Sequence, residues 1–151
     1  MLEVHLEILV EWGHCDPARI VFNPNFFVWM ESGMYQLFTT ANYPIAKMSD
    51  EDPQFLGVPL LTTQANFQKP AKVGDTITLV TSISRWGNTS FELSFRFLRG
   101  EDVLCTATQT RVWCYAEGDG AQETIKSAPI PESFRADLSV DKQVHIKLVS
   151  S

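Results

Sequence analysis

Residues 23–42 read NPNFFVWMESGMYQLFTTAN, and the fold turns on this stretch. Phe26, Met30, Met34, Leu37, Phe38 and Ala41 recur at spacings of three and four, the period of a helix with one apolar face. Asn23 belongs to the residue types that cap helices. Pro24 suits the first helical position, because the amide it lacks would find no helical acceptor. The proline also steers Asn23 away from the α region, as a cap requires. A helix of about 18 residues is expected, a common length for a globular domain. Gly33 in its middle either weakens it or lets another element pack close.

Outward from the helix the period changes to two. Val4, Leu6, Ile8 and Val10 alternate ahead of it and predict a strand. Behind it, residues 43–59 (YPIAKMSDEDPQFLGVP) carry three prolines and an Asp-Glu-Asp run, which predicts a long covering loop. Four strands then follow, at 60–68 (LLTTQANFQ), 76–84 (TITLVTSIS), 90–98 (SFELSFRFL) and 103–116 (VLCTATQTRVWCYA). Turns at 69–75, WGN, RGED and EGDG separate and end them. The signal weakens from Ala121, with an ordered crossing segment expected at 128–134 (APIPESF) and a loose strand or tail at the end.

This order predicts an α+β domain, with about five antiparallel strands wrapped around one long helix. The Phe91–Phe97 strand face and the Phe-rich helix would share the core. One helix covers only one face of a sheet, so the remaining face or the edges call for a homodimer or homotetramer.

Composition narrows the function. The 151 residues are 44% hydrophobic and 11% aromatic, with a net charge of −6. That composition supports one folded core and lacks the basic face that nucleic-acid binding needs. No uncharged apolar run approaches the ~18 residues of a membrane span. The opening MLEVHLEILV lacks a basic n-region, so no signal peptide is expected. Cys15, Cys105 and Cys114 are odd in number and widely spaced, which predicts free thiols in the cytoplasm and neither a disulfide frame nor a zinc site.

Residues 13–27 (GHCDPARIVFNPNFF) hold the site candidates. An Asp before Pro is commonly a turn former. Asp16, however, lies just upstream of a helix whose first amides are unsatisfied and favour negative charge. A carboxylate facing a carbonyl that such amides polarise can hydrolyse it. Cys15 has no evident activating base and reads as a buried inert thiol. His14, Cys15 and Asp16 do not make a metal triplet, because adjacent side chains diverge. His5 and His145 stand isolated. Glu31 and Ser32 lie two turns into the helix, and Glu31 is a candidate second carboxylate. Thr62 and Thr63 on a strand, and Arg85 with Trp86 at a hairpin, are candidate ligand contacts. Arg85, Lys69, Lys72 and Arg19 are candidate phosphate contacts. Phosphate-loop, dinucleotide-fold and nucleophile-elbow motifs are absent from the sequence, and no cofactor is expected.

The run EWGHCDPARIVFNPNFFVWME resembles the signature of the 4-hydroxybenzoyl-CoA thioesterase family of the hotdog fold. NFQKPAKVGDTITL, SRWGNTSFELSFRF and PIPESF are similar to its later strands and its end. The resemblance covers about residues 4–135, so that 1–135 read as one domain and 136–151 as a tail. It implies an acyl-CoA thioesterase acting on an aromatic or medium acyl group, with its site at a dimer interface. Asp16 then corresponds to the catalytic carboxylate, and the backbone amide of Asn23 to the donor on the thioester carbonyl. Arg19, Glu31, Thr62, Arg85 and Trp86 become substrate contacts. Gly87 and Asn88 stand where the benzoyl-CoA enzyme has basic residues after the hairpin Trp, and Arg19 where Gly is usual. The alternatives are a noncatalytic acyl-CoA or acyl-carrier binding module, which would lack Asp16, and a hydratase or dehydratase, which needs a His paired with a carboxylate.

Overall fold

The computed structural model describes residues 1–118 and 124–147. In chain order these form β1 (Leu2–Leu9), a 3-10 turn (Trp12–His14), α1 (Pro24–Thr40), α2 (Ile45–Glu51), β2 (Phe55–Gly57), β3 (Leu60–Phe67), β4 (Thr76–Trp86), β5 (Ser90–Arg99), β6 (Asp102–Val112), β7 (Cys114–Glu117), β8 (Thr124–Ser127), α3 (Glu132–Leu138) and β9 (Lys142–Lys147).

The large sheet has the order β3-β6-β5-β4-β1-β9. Its pairs are antiparallel except that β9 runs parallel to β1. Alternation decides which side chains face inward. Val4, Leu6 and Ile8 of β1, Ile77, Leu79 and Ile83 of β4, and Phe91, Leu93, Phe95 and Phe97 of β5 are all buried on one face. α1, 17 residues long, lays Phe26, Met30, Met34, Leu37 and Phe38 against that face. The rings interlock along its length: Phe26 meets Phe97 edge-on at 4.9 Å, and Phe38 meets Phe91 at 5.9 Å. Gly33 is what lets the helix sit so low, since a Cβ there would lie 2.4 Å from Thr81 Oγ1 and 2.9 Å from Leu79 Cδ2.

Four stretches differ from the expectation. Residues 43–59 are not a plain loop. Ile45 and Met48 pack on the core, and this anchors the short helix α2 before β2. The strand expected over 103–116 breaks at Trp113. The Trp113 amide donates to Thr89 O (2.9 Å) and its carbonyl accepts from Ala128 (2.9 Å), so β7 leaves the large sheet and pairs with β2 and β8 in a second one. The crossing segment ends in α3, which inserts Phe134 among Phe38, Trp86, Phe91 and Trp113. Beyond it, β9 adds a sixth strand to the large sheet. The turn expected at 117–120 falls partly, and the chain's end wholly, on residues 119–123 and 148–151 respectively, which lie outside the described residues.

Candidate active site

Before α1 the chain makes a tight hairpin. Cys15 and Val21 form an antiparallel bridge. Inside it the Asp16 amide donates to Ile20 O (3.0 Å) and the Arg19 amide to Asp16 O (2.9 Å). The Ala18 amide donates to Asp16 Oδ1 (2.8 Å), the Asx-turn bond that suits Asp at a turn. This leaves the second carboxylate oxygen without a partner among the described residues. Asp16 is half-buried. It is therefore held in orientation by one oxygen and open at the other.

The start of α1 is tied to the same hairpin. The carbonyl of His14 accepts the Phe22 amide (2.9 Å) and the Asn25 side-chain amide (2.7 Å). Asn25 thus joins the Asp16 turn to the helix, a role that its place inside a helical pattern did not reveal. Asn23 differs from its expected capping geometry. Its backbone is already helical (φ −48°, ψ −41°), and its side chain makes no cap bond. The turn begins one residue earlier: Phe22 O accepts from Asn25 (2.9 Å) and Asn23 O from Phe26 (3.1 Å). These bonds hold Asn23 in the α region against the preference that the following proline imposes. Pro24 has no N–H, and the amides of 25 and 26 are satisfied. The Asn23 amide donates to nothing among the described residues. One free donor thus stands at the positive end of the helix.

Beside that donor lies a cavity of about 250 Å³, lined among others by Ile20, Asn23, Phe26, Phe67, Lys69 and Ala71. Asp16 is not on its wall but adjoins it through Ile20, whose carbonyl fixes the Asp16 amide. Cys15 is a poor rival to Asp16. Burial, then the charges of Asp16 and Asp75, push its thiol above the ordinary range, so it stays protonated and non-nucleophilic at neutral pH. His14 is engaged as well, accepting the Glu11 amide at Nδ1 (2.9 Å) and packing edge-on against Trp29.

Of the other candidates, Arg19 shares the Asp16 hairpin and the rest are dispersed. Arg19 is exposed at φ 68° in the hairpin. Thr62 is exposed on β3, the free edge of the large sheet. Arg85 and Trp86 stand at the far end of β4, whose 11 residues span about 33 Å. Within one protomer they do not meet Asp16. Trp86 packs on Phe91 and Phe134 with the Arg135 guanidinium 5.5 Å from its ring centroid, and Arg85 lies 4.0 Å from Glu92. Glu31 receives a hydrogen bond from Arg111. Arg111 is buried and also donates to Gln109 Oε1 (3.2 and 2.9 Å) and Val58 O (3.1 Å). Neither Arg111 nor Gln109 was singled out, because a strand reading TQTRV looks like ordinary alternation. Glu31 also borders an apolar groove of about 490 Å³ with Ser32, Met34, Tyr35 and Ile45. Among the described residues no three His, Cys, Asp or Glu side chains cluster as metal ligands would, and no helix is long and apolar enough to cross a membrane.

A sheet curled around one long buried helix is the hotdog architecture, and several of the proteins this chain is similar to are named thioesterases. The family model of the Thioesterase-like superfamily matches residues 10–138. The chain belongs to that superfamily, which makes it a hotdog thioester hydrolase. It is 27% identical to the 4-hydroxybenzoyl-CoA thioesterase of Pseudomonas sp. (strain CBS-3), over 83% of this chain and 89% of that protein. It is 24% identical to the 1,4-dihydroxy-2-naphthoyl-CoA hydrolase of Prochlorococcus marinus (strain MIT 9211), over 74% and 82%. Among solved structures, a gentisyl-coenzyme A thioesterase superposes with a TM-score of 0.75 at 26% identity, covering 90% of this chain and 99% of that one.

Proposed function

We propose that the protein hydrolyses an aromatic acyl-CoA of the 4-hydroxybenzoyl kind, or a medium acyl-CoA, to the free acid and CoA. The observation that carries this is an open Asp16 oxygen in the hairpin and a free Asn23 amide at the helix start, two segments that the His14 carbonyl joins by accepting from Phe22 and Asn25. The thioester carbonyl would accept from the Asn23 amide, which stabilises the oxyanion without reorganisation. Asp16 then acts in one of two ways. As a base it takes a proton from water, the water oxygen bonds to the carbonyl carbon, and the C–S bond breaks to release CoA thiolate. As a nucleophile it forms a mixed anhydride with loss of the same thiolate, and water then cleaves the anhydride.

Three similar proteins are named for aryl-CoA substrates that carry hydroxyl groups, which supports an aromatic acyl group here. Glu31, held by Arg111 at the mouth of an apolar groove, suits a hydroxyl donor on such a ring. The site is completed at an interface between copies in a homodimer or homotetramer. This is also the route by which Thr62, Arg85 and Trp86 would reach substrate. The reaction belongs in the cytoplasm, where free Cys15, Cys105 and Cys114 stay reduced.

The test is release of free thiol across a panel of aryl- and alkanoyl-CoAs. Hydroxylated aryl-CoAs are expected to give the highest kcat/KM. Tight binding of the whole panel with no thiol released would make the protein an acyl-CoA binding module instead.

A further inference from the structure

We infer that Arg19 and Lys72 form the phosphate-binding pair for the CoA moiety, on the same protomer and rim as Asp16; this rests on the acyl-CoA function proposed above. Ile20 and Ala71 line the cavity at the helix start, and Arg19 and Lys72 are their immediate neighbours in the chain. The backbone sets Arg19 and Lys72 on adjoining segments, because Ile20 and Lys72 form an antiparallel bridge and the Val73 amide donates to Arg19 O (3.1 Å).

Both side chains are exposed, and neither has an ion-pair partner among the described residues. Asp75, the nearby acid, is held in its charged form partly by the Lys72 charge but makes no ion pair with the Lys72 side chain. Its Oδ2 accepts from Arg99 (2.8 Å) and from the Lys72 backbone amide (2.9 Å). Lys69 is not free, being bonded to Asp102 (3.1 Å). At φ 68°, position 19 lies in the left-handed region that favours Gly. The hairpin imposes that φ, and a long cation occupies the position although Gly would relieve the strain. Arg with Lys is a recurring combination for phosphate oxygens. The β4–β5 hairpin is a weaker host. The Arg135 guanidinium beside it is engaged by the Gly87 and Asn88 carbonyls, and Arg85 faces Glu92.

The experiment is calorimetric titration of CoA, dephospho-CoA and pantetheine into wild type, Arg19→Gly, Lys72→Gln and Arg85→Gln. Arg19→Gly should melt no lower than wild type, since Gly suits that φ. It should nonetheless bind CoA about tenfold more weakly, the loss typical of one charge-assisted hydrogen bond. Lys72→Gln should behave likewise, and pantetheine affinity should not change in either variant. Unchanged CoA affinity in both, an equal loss for pantetheine, a loss confined to Arg85→Gln, or a wild type that binds no CoA would each overturn the pair. A wild type that binds CoA in the expected pattern yet cleaves no thioester would keep the pair and sink the proposed reaction.

Discussion

Asp16 and Cys15 are neighbours with opposite chemical prospects. The Asp16 carboxylate is oriented by the Ala18 amide and keeps one oxygen open. The Cys15 thiol donates to Glu11 O (3.6 Å) and is pushed up in pKa by burial and by two adjacent carboxylates. A side-chain oxygen at position 16 is enough for the turn, because the turn bond needs only an acceptor. Asp16→Asn should therefore fold and bind CoA, yet lose on the order of 10²–10⁴ in kcat, the range of a positioned acid–base group. Cys15→Ser should keep most of its activity. Steady-state thiol release by the two variants decides the matter, and an active Asp16→Asn beside a dead Cys15→Ser would reverse the roles.

At the scale of elements, the approach of α1 to β4 is set by one missing methyl. A Cβ on Gly33 would meet Thr81 Oγ1 at 2.4 Å, and that oxygen is buried with no hydrogen-bond partner among the described residues. Gly33→Ala must lift the helix or displace Thr81. It should destabilise by about 1–3 kcal/mol despite the better helix propensity of Ala, because overpacking outweighs propensity here. Thr81→Ala removes the clashing atom and should recover part of that loss in the double variant, a favourable coupling that urea denaturation of the four proteins would reveal. Additive effects would show that the contact is not what limits the helix. The free Asn23 amide depends on the same packing, since Phe26, one turn on, is the residue whose ring locks the helix start onto Phe97.

At the scale of the whole molecule, the two edges of the large sheet are treated differently. β9 covers the β1 edge, whereas among the described residues β3 has no strand beyond it. β3 is exposed along nearly its whole length, with Leu60, Leu61 and Phe67 open to solvent. A long, apolar, unpaired edge is a template for another strand. Light scattering at micromolar concentration should therefore show a homodimer or homotetramer. Leu61→Glu should shift it toward monomer while far-ultraviolet circular dichroism stays unchanged. A wild type that is monomeric and fully active would remove the interface from the proposed site.

The sequence alone determined the frame: a helix of about 18 residues from Pro24 by its three-and-four spacing, strands from their alternation, and the carboxylate beside a helix start from Asp-Pro and Asn-Pro-Asn. These are local signals, carried by residues close together in the chain. Tertiary structure decided what depends on distant partners. Residues 43–59 gained a helix because Ile45 and Met48 found a core to cover, and 103–116 broke because Trp113 was claimed by Thr89 and Ala128. The last strand formed only because β1 offered a free edge. Asn23 lost its capping role to backbone bonds while its amide stayed free, and Arg111 became visible only when burial gave it Glu31, Gln109 and Val58 as partners. Periodicity reports which face of an element turns inward. The partner that face meets is fixed only when the chain closes on itself.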